Sequence, residues 1–249
     1  PFITADDGTI SVKLLPGTYY VREVDESAQH PEWIYDTETR SVTVVAGDTK
    51  SVTFTNNQKT YVKIIKKTNT GTNLSGWKFN IYTDSALTKK VTGSPFTTDA
   101  SGVIVKDLLP GTYYVQEVNE SDRLPDWDFD TTVHTLTVTA GTTQSVTVTN
   151  IQAGYARIIK MTSTGGHLSG WKFNIYSDAA CTKLISGSPF ITDHTGEITA
   201  RLAPGTYYIQ EIDESDQNPM WEYDTTVQEV AIKAGETASV VFVNNYCGI

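Results

Sequence analysis

Cysteine is scarce in this sequence. Only Cys181 and Cys247 occur among 249 residues, too few for the multi-bridge framework of a small secreted domain or for a four-cysteine zinc site. Long apolar runs are also missing: none approaches the roughly 20 residues that a membrane-spanning helix requires. Basic residues are outnumbered 19 to 29, for a net charge of -10. That balance supplies no basic stripe for a nucleic-acid backbone. The four histidines, His30, His134, His167 and His194, fall at unrelated places, so no metal site or catalytic triad is expected. There is no GxSxG, and no phosphate-cradling glycine loop follows a strand. An enzyme acting on an external substrate is therefore not expected, and neither is a cofactor. No signal-peptide pattern opens the sequence, which begins at Pro1 inside a repeat.

That repeat organises the chain. SPFTTD at 94–99 returns as SPFITD at 188–193, and the sequence itself starts PFITAD. PGTYYVREV at Pro16, PGTYYVQEV at Pro110 and PGTYYIQEI at Pro204 stand 94 residues apart, as do the two copies of LSGWKFNIY at Leu74 and Leu168. A period of 94 is the size of a small domain rather than of a solenoid turn. It divides the chain into a partial unit at 1–58 lacking its N-terminal strands, a complete unit at 59–152 and a second complete unit at 153–249. Short linkers are expected at 57–60 and 151–154.

Threonine, valine, tyrosine and isoleucine dominate each unit, between clusters of glycine, proline, asparagine and aspartate. In the second unit strand-like alternation covers 61–67, 77–83, 102–107, 113–119, 133–139 and 145–150, with turn chemistry at 69–73, 110–112 and 140–142. No segment sustains a 3.6-residue period. The pattern predicts an all-β sandwich in each unit.

Side chains alternate faces along a strand, and on that basis three polar residues fall on apolar faces. Lys66 shares a face with Val62 and Ile64; Lys160 follows Ala156 and Ile158. Asn150 ends the stripe of Val146 and Val148, and Asn56 and Asn244 end its counterparts. Glu117 ends the stripe of Tyr113 and Val115, with Glu23 and Glu211 in the other units. Each alone fits a strand end that reaches water, and a lysine can snorkel there. Their joint recurrence points elsewhere. Buried charge is costly, and desolvation drives lysine towards the amine and glutamate towards the acid. A neutral amine beside a carboxamide, with an acid to polarise it and move protons, is an acyl-transfer site. Its product is a Lys–Asn isopeptide bond, with loss of ammonia, formed once per domain without turnover.

VKIIKKTNTGTNLSGWKFNIY, followed by LLPGTYYVQEV and closing with SVTVTN, resembles the B-type repeat domain of Gram-positive collagen adhesins and pilins, the CnaB-like family. The resemblance covers essentially the whole chain. It implies tandem immunoglobulin-like β-sandwiches of inverse topology, seven-stranded, as beads on a string. It implies Lys66 and Asn150 as bond partners with Glu117 catalytic, and Lys160 and Asn244 with Glu211. Glu23 and Asn56 remain in the partial unit without a lysine. The family's AlaProxGlyTyr run after the glutamate is absent here. The expected function is a stalk or spacer in an extracellular, wall-attached adhesin or pilus-like protein. Its partners would be the neighbouring domains of the same polypeptide, with a host or matrix ligand bound by a module outside this sequence.

Other features support weaker readings. Trp33, Trp127 and Trp221 each sit beside acids and a second aromatic, and exposed rings there would make carbohydrate-binding modules. Capping the sandwich core is the expected role instead, as it is for Trp77 and Trp171. The acids at 120–122 and 213–216 lack the ligand spacing of a calcium loop and read as solvated turns. Whether Cys181 and Cys247 pair is left open. LeuProGlyThrTyr at 109–113 reads as a turn rather than a sorting signal.

Overall fold

The computed structural model describes residues 1–248, and every regular element among them is a strand. In the first unit these are β1 (Gly17–Val21), β2 (Trp33–Ile34), β3 (Arg40–Val44) and β4 (Asn57–Gln58). β1 pairs with β3 and β2 with β4, giving two separate two-stranded ladders. Residues 1–59 bury no side chain fully, and Phe2, Ile3 and Leu15 are open to solvent. Among the described residues, no strand lies over these apolar groups.

The second unit comprises β5 (Thr60–Thr68), β6 (Lys78–Tyr82), β7 (Phe96–Thr97), β8 (Val103–Leu108), β9 (Gly111–Glu117), β10 (Trp127–Asp128), β11 (His134–Val138) and β12 (Thr143–Gln152). They form two four-stranded sheets, ordered β10-β12-β5-β8 and β11-β9-β6-β7. The third unit repeats this with β13 (Gly154–Thr162), β14 (Lys172–Tyr176), β15 (Phe190–Ile191), β16 (Glu197–Leu202), β17 (Gly205–Glu211), β18 (Trp221–Glu222), β19 (Val227–Ile232) and β20 (Thr237–Tyr246). Each complete unit thus has eight strands rather than seven: six longer ones and two of two residues at the sheet edges. The first and last strands of a unit lie side by side and parallel: Tyr61 faces Thr143 and Thr68 faces Asn150, while Tyr155 faces Thr237 and Thr162 faces Asn244. Between the sheets lie Val62, Ile64, Phe79, Ile81 and Val115, all wholly buried.

The recurring ProGlyThrTyrTyr segment is where the chain changes sheets. β8 ends at Leu108 in one sheet and β9 starts at Gly111 in the other. The Tyr113 hydroxyl reaches back to the Leu109 carbonyl at 2.8 Å and closes this corner; Tyr19 does the same to Leu15 at 2.9 Å and Tyr207 to Ala203 at 3.0 Å. This is the tyrosine-corner device of sandwich folds.

The connections at 57–60 and 151–154 are shorter than linkers. Only Lys59 separates β4 from β5, and only Ala153 separates β12 from β13. Ala153 is fully buried; its N–H donates to the Asp126 carbonyl at 2.7 Å, and its carbonyl accepts from the Gly235 N–H at 2.8 Å. Across the same joint Arg201 donates to the Pro125 carbonyl at 2.9 Å and to the Asp128 carboxylate at 2.8 Å, and the Tyr155 hydroxyl bonds to Asp126.

Candidate functional site

The parallel pairing of first and last strands brings the lysine and the asparagine together. Side chains paired across a ladder share a face, and period 2 keeps every second residue on it. Lys66 pairs with Val148 and Thr68 with Asn150, so Lys66 and Asn150 point into the same core from adjacent strands. Glu117 enters from β9 in the opposite sheet. All three are shut off from solvent: Lys66 is 1% exposed, Glu117 5% and Asn150 0%. The third unit buries Lys160, Glu211 and Asn244 equally well.

The three side chains meet at one carboxyl group. The Lys66 Nζ lies 2.7 Å from Glu117 Oε1, and the Asn150 amide donates to that same oxygen at 3.0 Å. The Lys66 contact is close but poorly aligned for a hydrogen bond, and Glu117 Oε2 is left unpartnered. In the third unit the two nitrogens take different oxygens: Lys160 Nζ donates to Glu211 Oε2 at 2.9 Å and Asn244 to Oε1 at 2.9 Å. The first unit keeps the acid and amide in contact, with Asn56 donating to Glu23 at 2.6 Å, and has no lysine there.

Burial sets the protonation tendencies. Desolvation pushes the Lys66 and Lys160 amines below the ordinary lysine range, against the pull of their glutamates. Desolvation pushes Glu117 and Glu211 above the usual carboxylate range, against the pull of their lysines. Both directions favour a neutral amine beside a neutral acid.

Aromatic rings seal the site. Trp77 stacks over the amine, with Nζ 4.6 Å from the ring centre, and Trp171 does so at 4.7 Å over Lys160. Trp127 packs edge-on against Trp77 at 5.1 Å, and Trp221 against Trp171 at 5.5 Å. Trp77, Trp127 and Trp171 are buried and Trp221 is half-buried, as expected of a core cap. Trp33 departs from that expectation and is exposed.

Two contributors lie outside the apolar-stripe pattern. The backbone N–H of Asp130 donates to the Asn150 carbonyl oxygen at 3.1 Å, and that of Asp224 to Asn244 at 2.9 Å. The recurrence of aspartate at 36, 130 and 224 was the available signal. Gly102, at a positive φ of 78°, takes the Lys66 N–H onto its carbonyl at 2.7 Å. A Cβ there would stand 2.9 Å from the Lys66 carbonyl oxygen, so only glycine lets the loop press against the lysine backbone.

The remaining sequence features resolve simply. Glu120 pairs with Lys78 and Arg123, and Glu214 with Lys172. No cluster of histidine, cysteine and acids suited to a metal occurs among the described residues. Cys181 and Cys247 are free thiols.

Comparison with known proteins bears on both complete units. The family described as SpaA, a prealbumin-like fold domain, matches residues 60–152 and 154–246. No curated protein matches the chain significantly. Among solved structures, the TIE protein of Bacillus anthracis is 21% identical with a TM-score of 0.40, over 97% of this chain and 44% of its own. The present chain therefore spans less than half of that relative. GBS52, the minor pilin of Streptococcus agalactiae, is 17% identical with a TM-score of 0.35, over 76% of this chain and 97% of its own. The shaft pilin SpaA of Lactobacillus rhamnosus GG is 16% identical with a TM-score of 0.33, over 77% and 99%.

Proposed function

The chain belongs to the SpaA family of prealbumin-like fold domains, and from that premise we propose that its complete units are stalk repeats of a Gram-positive surface protein, each locked by an intramolecular isopeptide bond. The bonds join Lys66 to Asn150 and Lys160 to Asn244. The observation that carries this reading is that a lysine amine and an asparagine amide meet on one buried glutamate in both complete units.

The chemistry follows from the neutral forms. The amine lone pair attacks the asparagine Cγ, with charge developing on Oδ1, where the Asp130 or Asp224 N–H already donates. A proton passes from Nζ through the glutamate carboxyl to Nδ2. The Cγ–Nζ bond replaces the Cγ–Nδ2 bond, and ammonia departs. Held in contact inside a dry core, the partners gain the effective molarity of an intramolecular reaction. The glutamate ends as it began, and the domain reacts once; nothing is turned over.

The link closes nearly the whole of each unit. By analogy with disulfide loop closure it stabilises the fold by about 4–5 kcal/mol. A stalk exposed to shear and proteases outside the cell gains most from such a bond. The binding module and the wall attachment belong to other parts of such a protein.

Intact mass tests the reading. The purified chain is expected to weigh less than its sequence by two ammonia molecules, and fragmentation is expected to recover the Lys66–Asn150 and Lys160–Asn244 linked peptides. Glu117→Ala should restore one ammonia and Glu211→Ala the other. A mass equal to that of the sequence, with the chain folded, defeats the proposal.

A further inference from the structure

Aspartate recurs at 36, 130 and 224, and it occupies the same place in all three units. Its backbone N–H donates to the asparagine carbonyl oxygen at 3.0, 3.1 and 2.9 Å respectively. Its carboxylate turns the other way and ties down the loop that follows. Asp130 Oδ1 accepts from the Thr132 N–H at 3.0 Å, Asp224 Oδ1 from the Thr226 N–H at 3.2 Å, and Asp36 Oδ1 from the Glu38 N–H at 3.3 Å. This is an Asx turn, in which a side chain fixes the backbone two residues on. The first unit builds the same arrangement without a lysine, so it does not depend on the amine.

The residue facing this carboxylate changes while the aspartate stays. It is Arg40 in the first unit, 2.7 Å from Asp36, and His134 in the second, 3.4 Å from Asp130. In the third unit the equivalent Gln228 donates instead to the Val241 carbonyl at 2.6 Å. The neighbour of the carboxylate therefore differs from unit to unit, whereas the Asx turn is common to all three.

We infer that Asp130 and Asp224 are positioning residues for the cross-link: each carboxylate holds the turn that aims its own backbone N–H at the oxygen where negative charge develops. This rests on the isopeptide reading above. The carboxylate touches none of the reacting atoms. Its effect is to keep the donor in place before the amine attacks, so that the charge on Oδ1 meets a preorganised dipole.

The test follows bond formation in newly made chains: a pulse of cell-free synthesis, acid quenching at intervals, and intact mass at each point. Asp130→Ala is expected to slow ammonia loss from the second unit by about ten- to a hundredfold, the penalty of a misplaced or lost donor. The third unit of the same molecule should react at its usual rate. Asp130→Asn keeps an acceptor oxygen and should recover most of the rate. In a Glu117→Ala background, which stays unreacted, Asp130→Ala should also shift the 13C signal of the Asn150 side-chain carbonyl upfield; a purely structural role would lower the melting temperature and leave that signal in place. Should Asp130→Ala prevent folding of the second unit, Asp224→Ala carries the same test in the third. Unchanged rates in both alanine variants overturn the positioning role while leaving the bonds intact. Absence of any ammonia loss from the parent chain overturns the isopeptide reading itself.

Discussion

A lysine and a glutamate sealed in the same core leave a titration signature as long as they remain unreacted. Replacing Asn150 and Asn244 with alanine preserves both amines and both acids but removes the acyl partner. Lys66 and Lys160 then have folded pKa values below the ordinary 10.5, so unfolding takes up protons at lower pH. The stability of this double variant should therefore rise with pH towards 10.5, above which the lysine contribution levels off. Glu117 and Glu211 are shifted upward from 4.5, so unfolding releases protons and their contribution falls as pH rises through the shifted value. In the parent chain, cross-linked as proposed, the alkaline limb should disappear, because an amide does not titrate, and only the acid limb should remain. Denaturant midpoints measured from neutral to alkaline pH check the sign, and a flat profile for the double variant counts against a desolvated amine. The residues behind this signature were legible in the sequence because each violates an apolar stripe. The N–H of Asp130 was not, since every residue type except proline carries one.

At the level of elements, alternation located the six long strands of the second unit to within a residue or two. The edge strands β7 and β10 escaped it because two residues have no period. The parallel pairing of β5 with β12 was equally hidden: a face can be read from one strand, but the choice of neighbour depends on the whole fold. The joint at 151–154 is likewise shorter than the linker expected there: Gln152 is polar and Gly154 carries turn chemistry, yet β12 runs to Gln152 and β13 starts at Gly154. Gly154 shows how tightly that joint is packed. A Cβ there would overlap the Lys233 carbonyl oxygen and approach Ile232 Cγ2 to 2.8 Å. The obstacle is partly backbone, which cannot rotate aside. Gly154→Ala should destabilise the third unit by about 1–3 kcal/mol, the usual range for overpacking. Calorimetry should show the third unit melting earlier and the second unit unaffected. An unchanged transition means that β13 can shift without cost.

For the whole molecule, the positions of the four residues proposed to be bonded decide where tension would run. Lys66 and Lys160 lie in the first strands of their units, and Asn150 and Asn244 in the last. With the proposed bonds in place, a pull along the chain would enter at β5, cross from Lys66 to Asn150 in β12, pass Ala153 into β13, and leave through Lys160 and Asn244, bypassing everything between each lysine and its asparagine. The backbone between Asn150 and Lys160 is already in strand conformation apart from Ala153, so it has almost no slack to give. Single-molecule pulling from the ends should therefore extend the first unit alone, at low force, because its two-stranded ladders have no such bond. In a Glu117→Ala, Glu211→Ala chain two further steps should appear, each releasing the formerly bypassed residues at about 3.3–3.6 Å apiece. If the parent chain already shows those two steps, the load is carried by hydrogen-bonded strands, and the units resist force no better than ordinary sandwiches.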